Sequence, residues 1–141
     1  MASFNKFQIF VQDIGRGVHN LHTNTLKTSL HNTAPVATNS VFADLTEIAA
    51  GNGYTAGGTA SGSNSYAHTT GTAKLLTADV VFTASGGSIG PFRYPVLYND
   101  TPTSPADPLI GYFDYGSSIT LLTGETFTVD YDGSGGTLTI T

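Results

Sequence analysis

Residues 127–140 read Phe-Thr-Val-Asp-Tyr-Asp-Gly-Ser-Gly-Gly-Thr-Leu-Thr-Ile, and this stretch carries the clearest structural signal in the 141-residue chain. Apolar and polar residues alternate from Phe127 to Tyr131 and again from Leu138 to Ile140, which is the period of a half-buried β-strand. The residues between these two runs are rich in glycine, as tight connections are. The sequence therefore predicts a β-hairpin here, and with it a β-rich fold.

The same two-residue period recurs through most of the chain from residue 25 onward. Gly, Asn and Pro separate short runs that favour extended structure, while residues 41–48 fit either a strand or one helical turn. The sum is about eight short strands, which predicts a mainly β fold: a single β-sandwich of jelly-roll or immunoglobulin-like topology over residues 25–141. The predicted strands before the hairpin lie at residues 26–30, 74–84, 92–98, 109–115 and 119–122.

Two segments of this β region are predicted to be irregular. Pro95 lacks the N–H that a central strand needs, so its strand is predicted to be an edge strand or to carry a bulge. Residues 51–71 contain six glycines and no Lys, Arg, Asp or Glu. A loop this long is usually functional or stabilised by a partner. We predict that part of it orders against adjacent subunits with Tyr54 as its fixed point; the alternative is a strand on its own sheet.

The first 21 residues follow a different period. Apolar side chains recur at spacings of three and four from Phe4 through Phe7, Val11 and Ile14 to Leu21, which predicts an amphipathic helix over residues 1–21 with Ser3 as N-cap. Two glycines, at 15 and 17, weaken its second half, so the helix is predicted to be firm only to about Ile14. Its apolar stripe packs either on the sheet of its own domain or on a neighbouring subunit.

Composition restricts the class of protein. The formal net charge is −5, only 11% of residues are charged, and cysteine is absent. A chain with this acidic charge lacks the basic surface that binds nucleic acid or anionic membranes, so the sequence predicts neither partner. Zero cysteines exclude disulfides, Cys-ligated zinc and cysteine nucleophiles. No apolar run is long enough to span a bilayer, and the first residues do not resemble a signal peptide.

The sequence contains only weak candidates for catalytic or metal-binding residues. His19 and His22 share a helical spacing without a matching carboxylate, and Asp130 with Asp132 resembles half of a calcium loop whose remaining ligands are missing. Gly86-Gly-Ser-Ile-Gly90 matches the Gly-x-Ser-x-Gly pattern of hydrolases, but a proline and a strand follow it rather than a helix. The sequence predicts no enzyme activity, no cofactor and no structural metal, with the histidines as solvated loop residues.

Aromatic residues form the most suggestive group. Tyr94, Tyr98 and Tyr112 lie near Arg93 in the predicted strands, and Tyr and Arg are the residue types enriched at binding hot spots. Such tyrosines can also stack on sugars. A position in the core of the sandwich explains them equally well, so the sequence leaves the two interpretations open.

Several strings, taken in order, resemble a family of small virion structural proteins of tailed bacteriophages. The resemblance covers nearly the whole chain, and its most recognisable piece is Glu47-Ile-Ala-Ala-Gly-Asn-Gly-Tyr54. The other strings are Ala2-Ser-Phe-Asn-Lys-Phe7, Gly17-Val-His-Asn-Leu21, Leu26-Lys-Thr-Ser-Leu30, Asn32-Thr-Ala-Pro-Val36, Ile89-Gly-Pro-Phe-Arg-Tyr94, Val96-Leu-Tyr-Asn-Asp100, Pro108-Leu-Ile-Gly-Tyr-Phe-Asp-Tyr-Gly116 and Gly124-Glu-Thr-Phe-Thr-Val129. The resemblance implies a non-enzymatic β-sandwich, above all a capsid decoration (cement) protein, and supplies no catalytic residues.

The resemblance also implies partners and a location. We expect the chain to be made in the bacterial cytoplasm, to bind the major capsid protein or other virion proteins at the capsid surface, and to form a homo-oligomer such as a trimer. Alternatives are a tail, neck or fibre component, or a carbohydrate-binding β-sandwich. The residues predicted to contact other subunits are Phe4, Phe7, Val11, Tyr54, Arg93, Tyr94, Tyr98 and Tyr112.

Overall fold

Antiparallel strands account for most of the regular structure in the computed structural model, which describes residues 2–141. One α-helix and one 3-10 turn accompany twelve strands within these residues. In chain order the elements are β1 (Phe4–Lys6), α1 (Gln8–Gly15), β2 (Leu26–His31), the 3-10 turn (Phe42–Asp44), β3 (Thr59–Ala60), β4 (Asn64–Thr69), β5 (Thr72–Thr77), β6 (Val80–Thr83), β7 (Ile89–Phe92), β8 (Tyr94–Asn99), β9 (Leu109–Phe113), β10 (Ile119–Leu121), β11 (Thr126–Val129) and β12 (Leu138–Ile140).

The strands form one large sheet and three small ones. The large sheet has the order β1-β9-β8-β2-β3, and the small sheets are β12-β5-β4, β10-β7 and β11-β6. Every pair is antiparallel. One core joins the large sheet to the small ones, because Leu30, Leu97 and Ile110 of the former belong to the same buried cluster as Phe82 and Val129 of the latter. The predicted mainly β, sandwich-like fold is confirmed.

The large sheet is also covered on its second face. Val96 and Tyr98 of β8 and Leu109 of β9 form a second buried cluster, and Phe42 of the 3-10 turn packs on it. The Phe42 ring lies 4.7 Å from that of Tyr98, centroid to centroid. Both faces of β8 are therefore buried, and Thr28 and Ser29 of β2 are fully buried as well. The prediction of a half-buried strand at 26–30 was wrong about burial, because a third layer covers the sheet.

The predicted helix over residues 1–21 is wrong at both ends. Residues 4–6 are β1, which pairs with β9 so that Phe4 lies opposite Phe113, with ring centroids 5.3 Å apart. Helix α1 begins after Phe7 rather than after Ser3. Phe7 is its N-cap and makes no side-chain cap hydrogen bond. Pairing with the edge of β9 places Phe4 against the main core as part of a strand, so tertiary contacts override the local helical pattern.

A glycine at positive φ and two backbone hydrogen bonds define the end of α1. Gly17 has φ of +76°, the Val18 N–H donates to the Asp13 carbonyl at 3.0 Å, and the Gly17 N–H donates to the Ile14 carbonyl at 3.4 Å. These two bonds form a Schellman motif, which ends helices at a glycine in the left-handed conformation. The predicted weakening beyond Ile14 is thus confirmed, and residues 16–21 are not helical.

Both strands of the predicted C-terminal hairpin are present, but they do not pair with each other. β11 pairs with β6 and β12 pairs with β5, so the two strands belong to different sheets. The connecting residues explain the change of sheet: Asp132 Oδ1 accepts bonds from the backbone N–H groups of Ser134 and Gly135, at 2.9 and 2.7 Å. This Asx turn directs the chain away from β11.

A hairpin does form where the sequence predicted a loop. β4 and β5 pair over six residues and are joined by Thr70 and Gly71, both at positive φ. Two residues with positive φ make the type I′ turn, whose twist matches that of the flanking strands. The long irregular segment therefore ends before Asn64, and the predicted single strand at 74–84 is divided between β5 and β6.

Pro95 lies in a central strand, so the first of the two predicted alternatives, an edge strand, is wrong and the second, a bulged strand, fits. It pairs with Leu30 of β2. The Leu30 N–H donates to the Tyr54 hydroxyl and the Leu30 carbonyl accepts from Ile48, so this pair requires no hydrogen bond from the proline. A register irregularity does occur in β8, between Leu97 and Tyr98, and the strand begins at Tyr94 rather than residue 92.

Candidate interaction surface

The segment that dominates the sequence resemblance, Glu47 to Tyr54, is fastened to its own chain. The Tyr54 hydroxyl donates to Glu47 Oε1 at 2.6 Å and accepts from the Leu30 N–H at 2.9 Å. The Gly57 N–H donates to the same carboxylate oxygen, also at 2.6 Å. Burial, reinforced by the bond to Glu47, raises the pKa of Tyr54 far above its usual range. A phenol that stays protonated remains a permanent donor to Glu47.

Two glycines let this segment lie directly on the sheets. A Cβ at Gly58 would overlap the Thr28 carbonyl of β2, and one at Gly53 would overlap the Thr83 carbonyl of β6. Both glycines have positive φ, +82° and +99°. The Tyr98 hydroxyl donates to the Gly57 carbonyl at 2.6 Å. Residues 47–58 therefore connect the large sheet to a small one by backbone contact, which gives Glu47, Gly53 and Tyr54 a structural role within one chain.

Half of the residues predicted to contact other subunits lie in the interior. Phe7, Tyr54, Tyr94 and Tyr98 are buried by their own chain. Their side chains fill the two clusters of the core or its rim, so they do not form an aromatic platform on the outside. The tyrosines in the predicted strands therefore pack mainly in the core, which is one of the two interpretations that the sequence left open.

Phe4 and Tyr112 are partly buried, so they present only part of each ring to the outside. Phe4 packs on the main core, and the Tyr112 ring lies 5.1 Å from that of Phe7. Neither ring is free to turn toward another molecule without leaving these contacts.

Arg93 is only partly exposed, and its guanidinium is bound to a neighbouring side chain. Its guanidinium donates two hydrogen bonds to Asp114, at 2.7 and 3.1 Å, and lies 5.2 Å from the centroid of the Tyr94 ring. The bond from Arg93 and a backbone bond from Gly116 lower the pKa of Asp114. This pair fastens the start of β8 to the residues that follow β9.

Val11 is the predicted contact residue that the structure leaves free. Its side chain is 60% exposed on α1, and Val36, 58% exposed, lies on the segment whose Ala37 carbonyl accepts from the Gln8 N–H at 3.0 Å. Exposed apolar side chains indicate a contact surface where they form a patch, whereas single ones are normal. Val36 was not among the predicted contact residues, and neither were Val81 and Leu122, which are 53% and 59% exposed at the small sheets.

The histidines divide between core and surface, which corrects their assignment to solvated loops. His19 and His31 are buried. His19 Nδ1 accepts from the Asn99 amide at 3.1 Å, its ring lies 5.2 Å from Phe10, and desolvation lowers its pKa to about 4. His31 bonds the Ser29 hydroxyl and the Thr46 carbonyl, both at 2.8 Å, and burial lowers its pKa. These rings are neutral parts of the core.

Residues 2–141 contain no group of three or more His, Asp or Glu side chains placed to hold a metal ion. They contain no helix that is long and apolar enough to cross a membrane. Asp132, half of the calcium-like pair, directs one carboxylate oxygen at its own turn.

The surface of the described chain contains several cavities, two of which lie near its N-terminal elements. One of about 410 Å³ lies between the two ends of the described chain and is lined by Phe4, Phe113, Asp130, Asp132 and Thr137, among others. The second, of about 330 Å³, lies beside α1. It is lined by Ile9, Gln12, Asp13, Arg16, Val18, Ser40, Val41 and Pro105.

Comparison with known proteins gave no match. No protein-family model, no curated protein and no solved structure is detectably similar to the chain.

Proposed function

We propose that the chain is a virion structural protein of a tailed bacteriophage, and that it acts as a capsid decoration protein. The observation that carries this proposal is the segment Glu47 to Tyr54, the centre of the sequence resemblance. Three of its characteristic residues maintain the fold, since the Tyr54 hydroxyl bonds Glu47 and Gly53 lies against β6. A family signature whose residues maintain a fold suits a protein that acts by shape and contact.

The surface supports a docking role. Only 11% of residues are charged, and four large apolar side chains are more than half exposed within the described residues. A decoration protein stabilises the shell because it binds assembled subunits better than separate ones, and many identical contacts then add up. The partners would be the major capsid protein and further copies of this chain, at the outer surface of the capsid.

The same features allow a tail, neck or fibre position, and copy number separates these from the capsid. Quantitative mass spectrometry of purified particles of the phage that encodes the chain gives this number. Hundreds of copies support decoration, six or twelve indicate the tail or neck, and absence from the particle contradicts a virion role. The carbohydrate-binding alternative loses its argument, because Tyr94 and Tyr98 are buried.

A further inference from the structure

The outer side of β1 is an unpaired edge of the large sheet. β1 pairs with β9 on its other side, and the Phe7 N–H donates to the Ile110 carbonyl at 3.1 Å in continuation of that pairing. Hydrogen-bonded and non-hydrogen-bonded pairs alternate along an antiparallel ladder, so the N–H and C=O groups of Phe4 and Lys6 point away from β9. No recorded backbone hydrogen bond within the described chain takes up these groups. Such an edge can accept a further strand.

Two other strand edges are less available. β3, at the opposite end of the large sheet, has only two residues. β4 has six, but the segment before it covers part of its edge, because the Tyr66 N–H donates to His22 Nδ1 at 3.3 Å and the Asn64 side chain donates to the Leu21 carbonyl. At β1 the outward groups of the whole strand remain open.

Charges of opposite sign accompany the β1 edge. Lys6 is exposed and belongs to neither of the two ion pairs in the described chain. Asp130 and Asp132 are also exposed, and they line the cavity of about 410 Å³ that Phe4 borders. Backbone hydrogen bonds within its own turn lower the pKa of Asp132, so this carboxyl is ionised at neutral pH. The edge therefore presents a cation beside a cavity that attracts one.

We propose that the β1 edges of two copies of this chain pair with each other, antiparallel about a two-fold axis, with Phe4 of each copy opposite Lys6 of the other. Asn5 then lies opposite itself at the axis. Every outward N–H of β1 meets an outward C=O, with two hydrogen bonds donated by each copy. The two large sheets become one continuous sheet across the dimer.

The side chains select this register. Phe4 and Lys6 of the partner copy share one face of the extended sheet, so the lysine lies over the partly exposed ring and reaches the cavity of Asp130 and Asp132. A shift that placed Lys6 opposite Lys6 would oppose like charges and is disfavoured. A lysine on an edge strand usually prevents pairing. Here it permits one register, because an aromatic ring and two carboxylates lie opposite it.

This inference deepens the proposed function and rests on it in one respect, since further copies of the chain are among the partners proposed there. A short edge buries little surface, so we expect a weak dimer with a dissociation constant of about 10–100 µM. On a shell that presents many copies side by side, contacts of this strength add up.

The test measures the isolated chain at two concentrations. Sedimentation equilibrium should give the monomer mass at about 1 µM and mainly twice that mass at about 1 mM, on either side of the expected constant. Amide hydrogen exchange then locates the contact. The N–H groups of Phe4 and Lys6 should exchange about fivefold more slowly at the higher concentration, because most copies are then paired. The Asn5 N–H faces β9 and should not respond to concentration.

Charge reversal assigns the contact to these residues. Lys6→Glu places a carboxylate against Asp130 and Asp132 of the other copy, so it should weaken the dimer at least about tenfold, and Asp130→Lys should do the same. The double variant Lys6→Glu/Asp130→Lys should recover most of this loss, which a damaged fold would not. Arg16→Glu, with the same change of charge at an exposed position of α1, is the control and should leave the constant unchanged.

Three outcomes would overturn the proposal: a monomer at the higher concentration, a dimer that Lys6→Glu leaves intact, or a trimer as the main species, since two-fold edge pairing closes at two copies. Dimerisation of the isolated chain and copy number in the particle are separate measurements. Failure of this proposal therefore leaves the virion role standing, and the reverse also holds.

Discussion

The Tyr54 hydroxyl and the Glu47 carboxylate, seven positions apart in sequence, are joined by a 2.6 Å hydrogen bond that closes the loop between them. The same carboxylate oxygen accepts the Gly57 N–H, and the same hydroxyl accepts the Leu30 N–H. Two side chains therefore satisfy two backbone donors and fasten residues 47–57 to β2.

Tyr54→Phe should destabilise the fold by about 1–3 kcal/mol, because the buried Leu30 N–H loses its acceptor while the ring is retained. Urea unfolding measures the change. Tyr66→Phe is the matched control: Tyr66 packs only partly against the core and its hydroxyl makes no recorded bond in the described chain, so its loss should cost far less. Equal effects of the two substitutions would contradict the role given to the Tyr54 hydroxyl.

Gly58→Ala should be much more harmful than Gly124→Ala. Both glycines have positive φ, +82° and +90°, so both substitutions carry backbone strain of about 1–2 kcal/mol. Only at Gly58 does the new Cβ meet a backbone carbonyl, that of Thr28, while Gly124 faces open space. The difference between their unfolding free energies, expected to be about 1–3 kcal/mol or more, isolates the steric cost. A difference near zero would show that the loop can lift off β2.

Acidification should destabilise the protein through His19. Its pKa is about 4 in the folded chain against 6.5 for an ordinary histidine, so between these values the unfolded chain binds more protons than the folded one. Stability is therefore complete above pH 6.5 and falls toward pH 4, by about 3 kcal/mol for a shift of this size. Buried His31, whose pKa is also lowered, contributes in the same direction.

The measurement is the melting temperature between pH 7 and pH 5, where the lowered carboxyl pKa values of Asp44, Asp114 and Asp132 contribute little. His19→Gln keeps an acceptor for Asn99 and should flatten the dependence. His68→Gln, at an exposed position, should leave the slope unchanged. A slope unaffected by His19→Gln would contradict the assignment.

Val11→Asp should leave stability within about 0.5 kcal/mol, since the side chain is 60% exposed, but lower the occupancy of the protein on phage particles. Leu122→Asp, at 59% exposure near the small sheets, is matched in exposure and charge and should bind like the parent. Copies per particle are counted after reconstitution with each variant. If Val11→Asp binds normally and Leu122→Asp does not, the docking face lies on the small sheets instead.

The fold class followed from the alternation in residues such as Phe127–Tyr131, because burial of one sheet face imposes a two-residue period. Pairing could not be predicted in the same way. Nothing within residues 127–140 indicates that its two strands join β6 and β5, since those partners are set by the whole core. The local pattern also placed Phe4 in a helix, whereas in the structure it lies in β1, which occupies the edge position beside β9.

The candidate contact residues were predicted less well, for a related reason. Tyr and Arg are enriched in interfaces and Tyr is also common in cores, so residue type cannot separate Tyr98, which is buried, from a free tyrosine. The available signal was periodicity: Tyr94, Val96 and Tyr98 alternate within one strand, as core residues do.

The order of strands in the large sheet has a kinetic consequence. β1 pairs with β9 and β2 pairs with β8, so these two strands must wait for partners that lie 105–109 and 63–73 residues later in the chain, respectively. Folds dominated by such distant pairings reach the native state slowly, in milliseconds to seconds. The entropy cost of closing long loops comes before the stabilising contacts form. The large sheet therefore assembles only after β9 has been synthesised, whereas the local β4–β5 hairpin has its partner strand as soon as residue 77 is made.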